Sequence, residues 1–153
     1  NILMGELEGV RVLDLFAGTG NLTIESMSQG AESCTAVEKH PKSIKILKEN
    51  ISLFGLEKSV DIVNQDVFRF LKSFDGLPFD LIFVDPPFTE KLADDSVAAI
   101  SQSSVLQPGS KVVIESSAQE KIGDGYGVLV LIDRRTYGDK LVSFFEVPVE
   151  AKE

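Results

Sequence analysis

The sequence is 153 residues long, a length suited to one domain with a single core. Hydrophobic residues make up 43% and charged residues 25%, as in a globular chain, and no apolar run approaches the ~18 residues that a membrane-spanning helix needs. The formal net charge of −9 argues against unaided nucleic-acid binding by the segment as a whole, and a single cysteine, Cys34, excludes an internal disulfide or a cysteine-based zinc cluster. Cys34 sits in an apolar strand pattern and reads as an inert buried thiol, so a reducing cytoplasm is the expected compartment. The chain starts at Asn1 without a Met and without a secretory signal, and is expected to lack a short N-terminal segment.

Strands and helices alternate along the chain. Residues 10–16 (V-R-V-L-D-L-F) read as a buried strand. The turn Ala17-Gly18-Thr19-Gly20 follows, then a helix over about residues 21–29 with Asn21 as its cap and Gly30 at its end. Ser33–Glu38 reads as a second strand, and Pro41 opens a second helix at its first turn. In that helix Ile44, Leu47, Ile51 and Phe54 recur at helical spacing, Lys42, Lys45 and Lys48 fall on another face, and Gly55 ends it. Val60–Asn64 is a third strand, residues 66–73 a short helix and residues 79–84 a fourth strand. Helix resumes after Pro86-Pro87, with Leu92, Val97, Ala98, Ala99 and Ile100 on its apolar side, until Pro108-Gly109 marks a turn before a fifth strand at residues 110–115. Gly123, Gly125 and Gly127 leave little room for a further helix. Residues 128–133 and 141–147 then read as two antiparallel strands joined by a loop over residues 134–139. No repeat or linker interrupts the pattern, so one α/β domain over residues 1–153 is expected, with only the last few residues loose.

The fourth strand closes on Asp85-Pro86-Pro87-Phe88. Two consecutive prolines neither continue a sheet ladder nor enter a helix interior, so the chain leaves the strand abruptly at Asp85. An acid, two carbonyls and an aromatic ring are thereby held at a strand's carboxyl end, the edge at which open parallel sheets bind ligands. The group suits a planar primary amine. Asp85 and the Pro86 carbonyl are both acceptors for the hydrogens of one –NH2, which leaves its lone pair free for in-line attack, and Phe88 offers a face to the base that carries it. The plainer reading is a Pro-Pro turn with Phe88 in the core.

Strand, Gly18-x-Gly20, helix, then Glu38 at the end of the next strand is the layout of a nucleoside or dinucleotide site, although Thr23 stands where a third glycine would complete the NAD fingerprint. Charge separates the cofactors. Asp14, Glu38, Asp66 and Asp85 all fall at or just after strand ends on one edge, where a pyrophosphate is repelled and the net-cationic S-adenosylmethionine is favoured. In that reading Asp14 steers the ammonium, Glu38 the ribose and Asp66 the adenine amino group; singly, each acid is equally well a strand-end or helix-cap residue.

The runs L-D-L-F-A-G-T-G-N-L-T-I-E (residues 13–25), V-E-K (37–39), Q-D-V (65–67) and F-D-L-I-F-V-D-P-P-F (79–88) resemble the successive motifs of class I S-adenosylmethionine-dependent methyltransferases. More narrowly, the chain resembles the RsmD-type family, which methylates the exocyclic N2 of a guanine in small-subunit ribosomal RNA. Val113-Ile114-Glu115 and Arg135-Thr136-Tyr137-Gly138-Asp139 are similar to that family's late motifs. The resemblance implies a Rossmann-like, mostly parallel seven-stranded sheet of order 3-2-1-4-5-7-6 with the seventh strand antiparallel. It implies a cofactor site at Asp14, Phe16, Gly18, Thr19, Gly20, Glu38, Lys39, Asp66 and Val67, with Asp85, Pro86 and Phe88 catalytic and no metal. Substrate contacts are expected from Pro87, Glu115, Arg135 and Tyr137.

Partners are expected to be ribosomal RNA or the assembling small ribosomal subunit, with no membrane and a monomeric protein. RsmD-type proteins carry a basic segment ahead of a lead-in like Asn1-Ile2-Leu3. Its absence here would account for the acidic balance, with Lys39, Lys42, Arg134, Arg135 and Lys140 as the remaining local positives for RNA. Asp-Pro-Pro-Phe is shared with adenine-N6 and cytosine-N4 enzymes, so a DNA adenine or a protein amide is the nearest alternative substrate. A nicotinamide oxidoreductase has no need of that motif, and a noncatalytic S-adenosylmethionine-binding module would retain all of these features.

Overall fold

The computed structural model describes residues 7–149. The lead-in Asn1-Ile2-Leu3 and the last few residues, expected to be loose, lie outside the described residues. In chain order the elements are β1 (Arg11–Leu15), α1 (Asn21–Ser28), β2 (Ser33–Glu38), α2 (Pro41–Leu53), β3 (Val60–Asn64), α3 (Val67–Ser73), β4 (Leu81–Val84), a 3₁₀ turn (Phe88–Glu90), α4 (Ala93–Ser101), β5 (Lys111–Ser117), β6 (Gly125–Tyr126), β7 (Leu129–Tyr137) and β8 (Lys140–Glu146).

The strands form one sheet in the order β3-β2-β1-β4-β5-β8-β7-β6. β1 through β5 are mutually parallel, and β8 runs antiparallel to both β5 and β7. Alternate side chains build two cores. Leu13, Leu15, Val37, Ile82 and Ile114 pack with Phe70 and Leu71 of α3 and Val97 and Ile100 of α4. Val12, Ala36, Leu81 and Phe83 pack on the other face with Leu47 and Ile51 of α2. Burial on both faces is why the central strands read as unbroken apolar runs rather than alternating ones. Each fully buried aliphatic side chain contributes roughly 1.5–3 kcal/mol, so these two layers supply most of the drive to fold.

Among the described residues the sheet has eight strands where seven were expected, and β8 and the short β6 run against the parallel ones. The extra one is the two-residue β6: Gly127, at φ 57, turns the chain back so that Gly125 and Tyr126 pair with Val130 and Leu129. The expected loop over residues 134–139 shrinks to Gly138-Asp139, because Tyr137 pairs directly with Lys140 and Gly138 adopts φ 59. A glycine at positive φ in the first position of a two-residue turn matches the twist of a hairpin, which lets both strands run longer than their apolar patterns suggest. Two smaller expectations also change. Asn21 is the first helical residue rather than the cap, which is Gly20 in a left-handed conformation, and Phe54 is 58% exposed because α2 ends just before it.

Gly20 has no latitude for a side chain. Its φ is 99°, and a Cβ there would lie 2.5 Å from Leu47 Cδ1, at the centre of the α2 contact with the sheet. Gly20→Ala is expected to destabilise the protein by about 1–3 kcal/mol through left-handed strain and displacement of Leu47, read as a lower urea midpoint at unchanged m-value.

Candidate active site

The order β3-β2-β1-β4 makes the chain reverse direction between β1 and β4, and the carboxyl ends of β1, β2, β3, β4 and β5 share one edge. A crevice forms at such a switch point because the loops leave the sheet to opposite sides. A cavity of 440 Å³ lies there. Its lining includes Asp14, Phe16, Gly18 and Thr19 from the first strand and turn, Glu38 and Lys39 from the end of β2, Asp66 and Val67 beyond β3, and Asp85, Pro86 and Pro87 beyond β4. Of the expected cofactor residues only Gly20 stands behind the lining, where it packs on Leu47.

Each acid at this edge has a different local task. Glu38 is 7% exposed; its Oε1 accepts the Gly18 N–H at 2.8 Å, and its Oε2 accepts those of Lys39 at 3.0 Å and His40 at 2.9 Å. One carboxylate thus ties the glycine turn to the loop between β2 and α2. Asp66 caps α3 by accepting the Arg69 N–H at 3.1 Å and lies 3.8 Å from Lys39 Nζ. The helix-cap reading of Asp66 is correct, and the residue lines the cavity as well.

Asp14 is the least ordinary of the four. It is 1% exposed, its Oδ2 accepts the Thr23 hydroxyl at 2.7 Å, and its Oδ1 is buried with no hydrogen-bond partner among the described residues. Thr23, standing where a dinucleotide fingerprint has its third glycine, is the residue that binds this carboxyl. Desolvation raises the Asp14 pKa from 3.8 to about 7, opposed by the Thr23 hydrogen bond and reinforced by the charges of Asp85 and Glu38. A buried oxygen without a partner carries the full cost of its lost hydration. A cationic amine seated beside Asp14 would supply the missing partner and lower that pKa, which fits an amino-acid ammonium and disfavours an anion. Phe16, at φ 63, occupies the left-handed region that a bulky residue rarely adopts, and the strain falls on the cavity wall.

A second cavity, of 600 Å³, lies along β4, β5 and β8. Glu115 and Tyr137 line it, together with the apolar walls Phe83, Val113, Val142 and Phe144. Asp85 and Leu22 line both cavities, so the acid of the Asp-Pro-Pro-Phe group stands where the two adjoin. Val84 is in register with Ile114, which sets Asp85 level with Glu115 on the neighbouring strand. Partial desolvation first, then the Glu115 charge and a hydrogen bond with the Glu115 carboxyl, raise the Asp85 pKa from 3.8 to about 6, against the pull of Lys140. Lys140 Nζ donates to Glu115 Oε1 at 3.1 Å.

Besides Gly20, two expected residues stay outside both linings. Phe88 is 42% exposed at the start of the 3₁₀ turn, on neither wall and not in the core. Arg135 pairs with Asp133 at 2.9 Å and lies over the Phe144 ring. Arg134, counted among the RNA-facing positives, is held internally by Ser143, Asp124 and the carbonyls of Ile122 and Gly123. His40, Gln65, Phe68 and Leu92 line the first cavity without a part in the expected site, and Lys140, counted among the local positives, lines the second. Gln65 belongs to the Q-D-V run and Phe68 follows it directly, whereas Leu92 reads only as part of a helix's apolar side.

The chain matches the family described as "Conserved hypothetical protein 95" over residues 1–146. It is 32% identical over 142 residues to "Putative rRNA methyltransferase YlbH" of Bacillus subtilis, covering 90% of this chain and 76% of that protein. It is 30% identical to "Ribosomal RNA small subunit methyltransferase D" of Haemophilus influenzae, covering 80% of this chain and 64% of that relative's length. A solved Haemophilus influenzae structure described as a "putative methylase" superposes with a TM-score of 0.86 at 26% identity, over 97% of this chain and 92% of that one. The sheet with β8 reversed between β5 and β7, the acid-ringed switch point and these matches together make the chain a member of the "Conserved hypothetical protein 95" family, an RsmD-type family of ribosomal RNA methyltransferases.

Proposed function

We propose that the protein is an S-adenosylmethionine-dependent methyltransferase that modifies the exocyclic N2 amine of a guanine in small-subunit ribosomal RNA, acting on the RNA or on the assembling subunit. The observation that carries this reading is Asp85, a carboxyl at the junction of two cavities, one ringed by acids suited to a cationic nucleoside and the other apolar with a few polar groups. The relatives named as ribosomal RNA methyltransferases support the substrate class.

When bound, S-adenosylmethionine supplies a methyl carbon open to direct displacement by a nitrogen lone pair. The chain's own residues hold the two reactants. Asp14, with its unpartnered oxygen, receives the ammonium; Glu38 keeps lone pairs for the ribose; Asp66, Val67 and Phe68 border the adenine end. Across the junction, Asp85 and the Pro86 carbonyl accept the two N–H groups of the target amine and keep its lone pair turned outward. Phe88, exposed on the 3₁₀ turn, stacks on a base turned out of its helix, at a cost of a few kcal/mol that such contacts offset. Asp85 need not be a strong base, because the amine proton becomes acidic only after methyl transfer. A raised pKa suits it to take that proton and release it to water.

The direct test is transfer of labelled methyl from S-adenosylmethionine to unmodified small ribosomal subunits and naked ribosomal RNA, followed by nucleoside analysis. Label in N2-methylguanosine is expected; label only in an adenosine or in protein would overturn the assignment. Asp85→Ala is expected to lower kcat by about 100-fold or more while cofactor affinity stays within a few-fold. Because the ionised carboxylate is the acceptor and its pKa is raised to about 6, kcat/KM should fall as pH drops through about 6, as a pH–rate profile would reveal.

Asp14 yields a stability prediction with the sign fixed by its raised pKa. The folded protein holds a proton that the unfolded chain releases, so stability contributed by this group is present below pH 3.8 and lost as pH climbs through about 7. The loss is on the order of 4 kcal/mol. Asp14→Asn should flatten the fall in urea stability between about pH 4 and about pH 8, and should weaken S-adenosylmethionine binding roughly tenfold or more by calorimetric titration.

A further inference from the structure

The polar groups of the second cavity stand in a fixed order. Asp85 is level with Glu115 on the neighbouring strand, and Glu115 in turn holds Lys140 at 3.1 Å. All three line the cavity with Tyr137, and the remaining walls are apolar. With the acids ionised, the row presents an acceptor, a second acceptor and a donor.

We infer that Glu115 and Lys140 read the edge of the target base beside its amine, so that this site selects guanine over other bases that carry an exocyclic amine. The inference rests on the amino-methylation reading above and adds its source of specificity. Guanine presents its amine, then N1–H, then O6: donor, donor, acceptor, the complement of the row. Adenine presents its amine followed by a bare N1, and cytosine its amine followed by a bare N3 and then O2. Once Asp85 has taken the amine, the next ring position meets Glu115. A guanine N1–H donates to that carboxylate. A bare ring nitrogen turns a lone pair toward it with no proton between, and both groups lose water without gaining a bond.

Lys140 has two tasks in this arrangement. Its ammonium orients the Glu115 carboxylate, and its remaining hydrogens are donors for O6. Without that cation Glu115 loses the contact that orients it and the row loses its donor for O6. Selectivity therefore depends on the pair.

The test uses RNA in whichever form accepts methyl, with the mapped target guanine replaced by 2-aminopurine, which keeps the amine but has a bare N1 and no O6. Wild-type protein is expected to prefer guanine by roughly 100-fold or more in kcat/KM. Glu115→Ala and Lys140→Met are each expected to shrink that preference to roughly tenfold or less, with S-adenosylmethionine affinity, measured on the same preparations, as the report of an intact fold. A purely structural role for either residue would lower both rates together and leave the preference intact. Methylation of guanine with equal use of 2-aminopurine by wild-type protein would overturn this inference and leave the methyltransferase assignment standing. An absence of methyl transfer to any guanine would overturn both.

Discussion

Three backbone N–H groups converge on the Glu38 carboxylate, and the shape of the ligand edge depends on that convergence. The turn between β1 and α1 contains three left-handed residues, Phe16, Gly18 and Gly20, and such a turn does not hold its form by local preference alone. Gly18 is drawn onto Glu38, Ala17 donates to the Val37 carbonyl at 3.0 Å, and Gly20 packs against Leu47. Charge-assisted bonds from two loops onto one buried acid are among the stronger hydrogen bonds available to a protein. They offset the strain and fix the distance between the glycine turn and the end of β2. The acid that borders the cavity is therefore also the brace that forms it.

Collecting acids at one sheet edge works against folding. Asp14 is buried with one oxygen unpartnered, and Asp85 and Glu38 add their charges to its environment. A chain selected for stability alone would place an apolar residue or an amide there. The arrangement makes sense as stored binding energy: a cation entering the edge supplies the missing partner and relieves the repulsion at once, so its affinity includes the cost already present in the free protein. The same field repels phosphate-rich ligands. Net charge and site chemistry thus argue in the same direction for a cationic cofactor, while RNA must be engaged away from this edge or through local positives such as Lys42, which is exposed on α2.

Much of this was legible in the chain. The alternation of apolar runs with Gly and Pro punctuation located the five parallel strands, and the acids at strand ends located the edge, because strand termini and turns are written in short local signals. What escaped depends on distant partners. Whether Asn21 or Gly20 caps α1 is decided by how Leu47 of α2 packs on the turn, which no local pattern reports. The extent of β7 and β8 is decided by their pairing: Arg134, Arg135 and Thr136 are polar and read as loop, yet each has a ladder partner on β8. Phe54 repeats the helical spacing of the buried residues but falls one position past the end of α2, so periodicity alone overestimates the core. Leu92 reaches the first cavity from a segment without a motif, and Lys140 reaches the second through its pairing on β5; only the folded chain brings them there.

The reversed strand explains how the second cavity comes to hold both acids and an ammonium. β7 runs parallel to the first five strands, so it ends at Tyr137 on the same edge where those strands end in acids. The tight Gly138-Asp139 turn then starts β8 at Lys140, which pairs with Ser117 at the end of β5 and reaches Glu115 two residues back. A sixth parallel strand entering beside β5 would begin at the opposite edge and leave its carboxyl end to a longer crossover connection. The hairpin instead delivers an ammonium to the second cavity, beside Glu115 and within the field of Asp85. The topology thereby sets two acceptors and a donor in a row on an edge whose first cavity carries mostly acids, with Lys39 beside Asp66.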